Sequence, residues 1–369
     1  MNKKIIIIIV SVIIIFVGYL VIHPRNITIQ TQRLLRVAEQ NLQNENPGIA
    51  TTTPETPYVT VPSEVKAIYV TGPVASSKDW INKLINLANT TEINAMVVNI
   101  KDGSGTYLNQ TMANLAVKLR ENNIYPIARI VVFQDNELAK NNPAVALRDK
   151  NGKIWAEKSY NWVDPSSKEV WNYNLDIANK ALNMGFEEIN FDYFRFPSGG
   201  QLNEIVFPNY DGSTPKEKII DSCAEFLVSN IKKDHPNALV SLDIFGYTFL
   251  KSDLGIGQNL INLSDYFDVI APMVYPSHYA PGNFGFKNPA QEPYQVVLQT
   301  LLKGEQMLSA KEKKPIIRPW IQDFDLGAVY DVGMFRKQID AIKDAGLSGG
   351  WMVWNPKNIY DVNKFLPKK

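Results

Sequence analysis

The chain has 369 residues, and its 38 Lys plus Arg stand against 37 Asp plus Glu, a formal net charge of +1 at pH 7. So even a balance gives no global field for nucleic acid or another polyanion, and the single cysteine, Cys223, excludes an intrachain disulfide framework and a cysteine-rich zinc site. With 45% hydrophobic and 11% aromatic residues, the chain can bury a large core, in one large domain or two ordinary ones.

Residues 1–24 stand apart. "MNKK" is followed by "IIIIIVSVIIIFVGYLVI", an uncharged run over 5–22. As a helix it would span ~27 Å, roughly the thickness of a bilayer core. Lys3 and Lys4 precede it, so the positive-inside rule leaves the rest of the chain outside the cell, on a single-pass anchor. "HPRN" follows, with no small-x-small cleavage site and no lipobox cysteine, so an uncleaved anchor is expected and a cleaved signal peptide is the alternative. Residues 25–62 include "PGIATTTPETPYVTVP", rich in Thr and Pro, and read as an extended linker outside the membrane.

From residue 63 to 369 short apolar runs alternate with helical patterns. The strand candidates are 65–70, 95–102, 124–133, 186–197, 238–246, 268–276, 315–324 and 349–356. Helical spacing falls at 77–89, 112–122, 167–185, 216–234, 292–311 and 331–345. The apolar runs are near-continuous, as in parallel strands covered on both faces. Eight such units predict a (β/α)8 TIM barrel. A doubly wound sheet is the competitor, but the first strand runs into "TGPVASS", not a Gly-rich dinucleotide turn. "AGLSGG" (345–350) precedes the last strand and reads as a helix cap and turn, not a phosphate loop.

Barrel active sites lie at the C-terminal ends of the strands. Polar and aromatic residues gather there: Lys101 and Asp102 on the second strand, Asp135 after the third, Asp192 on the fourth, and Asp243 on the fifth. Tyr275, Ser277 and His278 end the sixth, Gln322, Asp323 and Asp325 the seventh, and Trp354 and Asn355 the eighth. Glu187 and Glu188 open the fourth strand, at the other end, and read as structural. The loop 134–166 is long for such a unit. It carries Trp155 and Trp162, which are expected to shape a cleft.

The segments "NIKDGSG" (99–105), "ARIVVFQD" (128–135), "EINFDYFRFP" (188–197), "LDIFGY" (242–247), "APMVYPSHY" (271–279), "IRPWIQDF" (317–324) and "GGWMVWNP" (349–356) closely resemble the glycosyl hydrolase family known as domain of unknown function 4015. The resemblance runs in order from about residue 65 to 360. It implies a TIM barrel of the glycosidase superfamily, often behind a bacterial N-terminal anchor, and no settled substrate.

Glycoside hydrolysis uses two carboxyl groups, one protonated and one ionised. Asp192 is the candidate for the ionised partner, with Arg195 expected beside it and Tyr193 as a hydrogen-bond donor; the blander reading is a structural Asp192–Arg195 pair. Asp243, between apolar neighbours that would raise its pKa, is the first candidate for the proton donor. Asp323 is its rival and Asp102 follows. Lys101, Arg129, Arg195, Tyr275, His278, Trp320, Trp354 and Asn355 complete the candidate binding set, together with Asp102 and Asp323. Aromatic rings, Tyr279 among them, suit the C–H faces of sugars.

Only His23, His235 and His278 are present, so a histidine-based metal site is not expected, and no cofactor is called for. The expectation is thus a membrane-anchored, monomeric glycoside hydrolase acting on an extracellular or cell-wall polysaccharide. The alternative is a non-catalytic glycan-binding envelope protein on the same scaffold.

Overall fold

In a parallel barrel every strand is covered twice, by side chains inside and helices outside, so its strands are apolar on both faces. The computed structural model describes residues 60–252 and 254–368 and has this architecture. The strands are β1 Val65–Val70, β2 Ala95–Asp102, β3 Tyr125–Val131, β4 Glu188–Asp192, β5 Leu239–Phe245, β6 Val269–Met273, β7 in two pieces (Ile316–Ile317 and Trp320–Gln322), and β8 Gly350–Trp354. Each pairs in parallel with its neighbour, and β1 pairs with both β2 and β8, which closes the barrel.

Among the described residues six helices of ordinary length lie outside it: α1 Lys78–Thr90, α2 Gln110–Glu121, α3 Lys168–Asn183, α4 Lys216–Asp234, and, beyond the one-turn α5 Leu260–Leu263, α6 Pro293–Met307 and α7 Val332–Asp344. The sequence dictates their ends locally. Side chains of Asn109 and Asp331 accept from the backbone N–H three residues on, at the starts of α2 and α7. Past α7, Gly346 takes φ 76° and Leu347 N–H reaches back to the Ile342 carbonyl, so "AGLSGG" is a cap and turn as expected. α5 is too short to cover β5 and β6 by itself, and Gly246–Phe249, a 3-10 turn, fills part of that gap by packing on α6.

Two cores follow from strand alternation. Val65, Ala67, Tyr69, Val97, Ile127, Tyr275, Trp320 and Met352 pack inside the barrel, while Ile68, Val98, Ile130, Ile189, Leu242 and Val353 face the helices. At the N-terminal end Glu188 accepts from Arg318 Nη1 at 2.8 and 3.0 Å, with both side chains fully buried. Glu188 is therefore structural, as its position predicted.

The expected anchor and linker lie outside the described residues, but for the linker's last three. Among the described residues no helix is long and apolar enough to cross a membrane.

Candidate active site

Strand register assembles the site. Asn190 of β4 pairs with Ser241 of β5, so Asp192 and Asp243, each two residues further on, point inward at the same level. On the other side β3 places Arg129 opposite Asn190, and Asn99 of β2 opposite Arg129. Four neighbouring strands thus present Asn99, Arg129, Asn190 with Asp192, and Asp243 to one point in the barrel mouth.

Arg129 is the centre of this group. Its Nη1 donates to Asn99 Oδ1 at 2.7 Å, its Nη2 donates to Asp192 Oδ2, and its Nε faces Asp243 Oδ2 at 3.6 Å. One planar guanidinium touching both acids bounds their facing oxygens to within ~8 Å of each other. That bound is below the ~9.5 Å upper limit for two-carboxylate hydrolysis. Arg129 also sits over the rings of Trp354 and Tyr69, 5.3 and 5.6 Å from their centres, and those rings stack at 4.0 Å. Burial disfavours the Arg129 charge, yet the two aspartates and Tyr69 hold its pKa above the ordinary value.

The two acids have different surroundings. Asp192 is the last residue of β4; its Oδ1 accepts the Tyr193 backbone N–H at 2.5 Å and its Oδ2 meets the Arg129 guanidinium. Asp243 lies deeper. Its Oδ1 accepts from Trp320 Nε1 at 2.6 Å and from Asn190 Nδ2 at 2.9 Å. Burial, then the nearby Asp192 charge, raises its pKa to about 8, against the smaller opposing pull of Arg129. One guanidinium cannot balance two carboxylates, so one proton stays, and it stays on the more deeply buried group. With Oδ1 occupied by two N–H donors, Oδ2 is the oxygen left to carry it.

A cavity of about 430 Å³ opens over these groups. Arg129, Asp192, Asp243 and Trp320 lie on its wall with Trp354 and Tyr275; Tyr193, Arg195, Phe245, Gly246, Tyr247, Met273, His278 and Tyr279 complete it. Gly246 belongs there because a Cβ would stand 2.5 Å from Tyr279 Oη and 2.6 Å from the Met273 carbonyl. Tyr193 takes φ 50°, in the left-handed region, immediately after Asp192. That turn ends β4 at the candidate acid and sends Phe194 and Phe196 into the core. Among the described residues no group of three His, Cys, Asp or Glu side chains could hold a metal ion.

The structure thus brings together Asp192, Asp243, Arg129, Arg195, Tyr275, His278, Trp320 and Trp354 of the expected set. It corrects the others. Asp192 is paired with Arg129, not Arg195. The Arg195 guanidinium lies instead over Phe245, Trp162 and Tyr193. Lys101 is turned to the outer face by a register shift between Asn99 and Lys101, and meets Asp135 at 2.9 Å and the Val131 carbonyl. Asp102 accepts from Ser104 N–H and Tyr107 Oη, which fixes a loop. Asp323 binds Lys364 Nζ at 2.6 Å and Asn355 Nδ2 at 3.1 Å, away from the cavity, so neither Asp323 nor Asn355 belongs to the site and neither rival acid reaches it.

Trp155 and Trp162 are buried core, and no residue of 134–166 lines the cavity. The loop folds down as a short helix (Asn136–Asn141) and a hairpin (Ala156–Glu157 with Tyr160–Asn161), clasped by Asp164 to the Asn209 and Tyr210 N–H groups. Asn99, Asn190, Tyr69, Phe245 and Tyr247 were not anticipated. Asn190 had a usable signal: it lies two residues before Asp192, on the same strand face.

A closed (β/α)8 barrel with a carboxylate pair at the C-terminal mouth is the architecture of a glycoside-hydrolase-like domain. The comparisons agree, for residues 67–360 match the family described as "Putative glycosyl hydrolase domain" (domain of unknown function 4015), and the chain belongs to it. No curated protein matches the chain. Among solved structures, a hypothetical protein from Ruminiclostridium thermocellum is 31% identical over 48% of this chain and 96% of its own, with TM-score 0.42. The PgaB (BpsB) glycoside hydrolase domain from Bordetella bronchiseptica is 13% identical over 80% of this chain and 95% of its own, with TM-score 0.60. The alpha-galactosidase TtGalA from Thermus thermophilus is 12% identical over 83% and 64%, with TM-score 0.52. At 12–13% identity the last two show the shared barrel fold.

Proposed function

We propose that this domain hydrolyses a glycosidic bond of an extracellular or cell-wall glycan by two-carboxylate catalysis, with residues 1–24 anchoring it to the membrane. One observation carries the catalytic reading: two carboxyl groups at matched positions on neighbouring strands share one guanidinium, in a cavity, and burial favours the protonated form of the deeper one, Asp243. Asp243 gives its Oδ2 proton to the leaving glycosidic oxygen. Asp192 acts at the anomeric carbon, as nucleophile or through a water molecule it deprotonates. Arg129 stabilises the Asp192 carboxylate until it reacts, and Trp320 and Asn190 fix the donor. Trp354, Tyr275 and Tyr247 offer rings to the sugar faces.

A non-catalytic binder would need the rings but has no use for a proton-holding aspartate beside an ionised one. The test is a glycan-release screen on purified cell walls and exopolysaccharides, repeated with Asp192→Asn and Asp243→Asn. Release that stops in both variants supports hydrolysis at this pair. Binding without release by the wild type, from a glycan that saturates the cavity, would establish the binder instead.

A further inference from the structure

Of the charged side chains on the cavity wall, Arg195 has no anion in contact with it among the described residues; Asp192 and Glu157 act on it only at longer range. It is only 6% exposed. Among the described residues no carboxylate lies within ion-pair distance of it, and its one hydrogen bond runs from Nη1 to the Phe196 carbonyl at 3.0 Å. Three rings hold the guanidinium in place: Phe245 at 4.7 Å, and Trp162 and Tyr193 at 5.0 Å each. A buried cation without a contacting anion is costly, and cation–π contacts and distant carboxylates offset only part of that cost. Arg318, 1% exposed at the far end of the barrel, shows how this fold treats a structural arginine: both carboxylate oxygens of Glu188 accept from its Nη1. Arg195 is instead left with donors free at a cavity.

We propose that Arg195 receives a carboxylate of the substrate, so that the glycan is acidic and its carboxylate-bearing sugar sits beside Asp192. This rests on the glycosidase reading for the bond cleaved, but not for the charge match. The wall carries two guanidinium groups, Arg129 and Arg195. Asp192 balances the first; Asp243 holds its proton at pH 7, and partial burial lowers the pKa of His278, leaving it neutral there. One positive charge remains, and one carboxylate cancels it. The planar fork of arginine matches a carboxylate bidentately, which a neutral hydroxyl cannot reproduce.

The test is calorimetric binding at pH 7 to full-length Asp243→Asn protein. That substitution blocks turnover and leaves the cavity charge unchanged. The probes are hexuronate oligosaccharides and sugars with an ether-linked carboxyalkyl group, each paired with the same molecule after reduction of its carboxyl to an alcohol. The two sets distinguish a ring-borne carboxylate from a substituent-borne one. At least one charged member is expected to bind tenfold or more tightly than its reduced partner, about 1.4 kcal/mol. Adding Arg195→Gln should remove that preference while weakening the reduced partner little. If no charged probe is preferred, or the preference survives Arg195→Gln in a cooperatively folding protein, the inference is overturned. The first of these outcomes needs no change at Arg195, so a misfolded variant does not protect the idea. Hydrolysis of neutral glycans without charge preference would sink this inference and leave the glycosidase reading; charge-selective binding without wild-type hydrolysis would do the reverse.

Discussion

Asp243→Asn should make the protein more stable at neutral pH while abolishing its activity. Burial raises the Asp243 pKa from 3.8 to about 8. The folded state therefore keeps a proton that the unfolded chain releases above about pH 4. A raised pKa of this kind contributes stability that is fully present below the unfolded value and is lost as pH rises towards the folded value. Each unit is worth about 1.36 kcal/mol, so between pH 4 and pH 7 the wild type should lose roughly 4 kcal/mol through this residue alone. Asparagine does not titrate. Its Oδ1 can still accept from Trp320 and Asn190, and its NH₂ takes the place of the protonated oxygen. Urea unfolding of both proteins at pH 4.5 and pH 7 measures the difference, in which other titrating groups cancel. Similar stabilities are expected at pH 4.5 and a variant several kcal/mol the more stable at pH 7. Parallel pH profiles would show that Asp243 is ionised in the folded protein, and the assignment of the proton donor would fall with it. On a confirmed substrate, wild-type turnover should decline as pH rises through about 8, as the donor loses its proton.

Asp192→Asn should cut turnover on the same substrate by at least ~10³-fold, about 4 kcal/mol of barrier. It should also lower the melting temperature, because Arg129 loses its contact with the Asp192 carboxylate, and Asp243, the remaining carboxyl beside it, must then give up its proton at a buried site. Trp162→Ala removes a fully buried ring and the seat of Arg195, so chemical denaturation should show a loss of ~3–5 kcal/mol. Gly246→Ala forces a methyl against the Met273 carbonyl and should weaken both stability and glycan binding, measured by unfolding and by calorimetry. Residues 60–369 contain the whole barrel and should express as a soluble, cooperatively unfolding monomer, checked by circular dichroism and gel filtration; an insoluble product would place the domain boundary earlier.

Most of the barrel was legible because parallel strands buried on both faces leave unbroken apolar runs. β1 and β2 fall where the pattern put them, and α4 matches 216–234 residue for residue. The run 315–324 is broken because Pro319 has no N–H for the ladder and Arg318 turns inward to Glu188. The site was half legible. Proximity to a strand's C-terminal end picked out Asp192, Asp243, Trp320 and Trp354, but it says nothing of which face a residue takes. Parity does: Asp323 is three residues from inward-facing Trp320, and Asn355 is one from Trp354, so both point away from the cavity. Lys101 escapes even parity, since the irregularity after Asn99 reverses its face. Arg195 escapes it in the other direction. It stands three residues from Asp192, yet the left-handed turn at Tyr193 resets the alternation and returns it to the cavity wall. Neither irregularity has a residue signature, because neither position is a glycine. Arg129 as the partner of Asp192 is a cross-strand relation, visible only once the register is known.

The two ends of the barrel interior separate structural polarity from functional polarity. β4 contributes to both, with Glu188 at one end, Asp192 at the other and Asn190 between them. At the closed end one acid meets one arginine, both fully buried, and Arg318 Nε donates in addition to the Gly349 carbonyl. Charge is balanced, and nothing is left to bind. At the open end two acids face one arginine, and among the described residues the Arg129 Nε has no hydrogen-bond partner and a second arginine stands nearby with no anion at ion-pair distance. If stability alone were at stake, the arrangement at Glu188 could serve at both ends, and apolar packing could serve better still. An imbalance kept in a cavity is explained by a charge that arrives from outside or develops during a reaction. The same geometry then accounts for the aspartate that holds a proton, the aspartate that does not, and the guanidinium that waits for a partner.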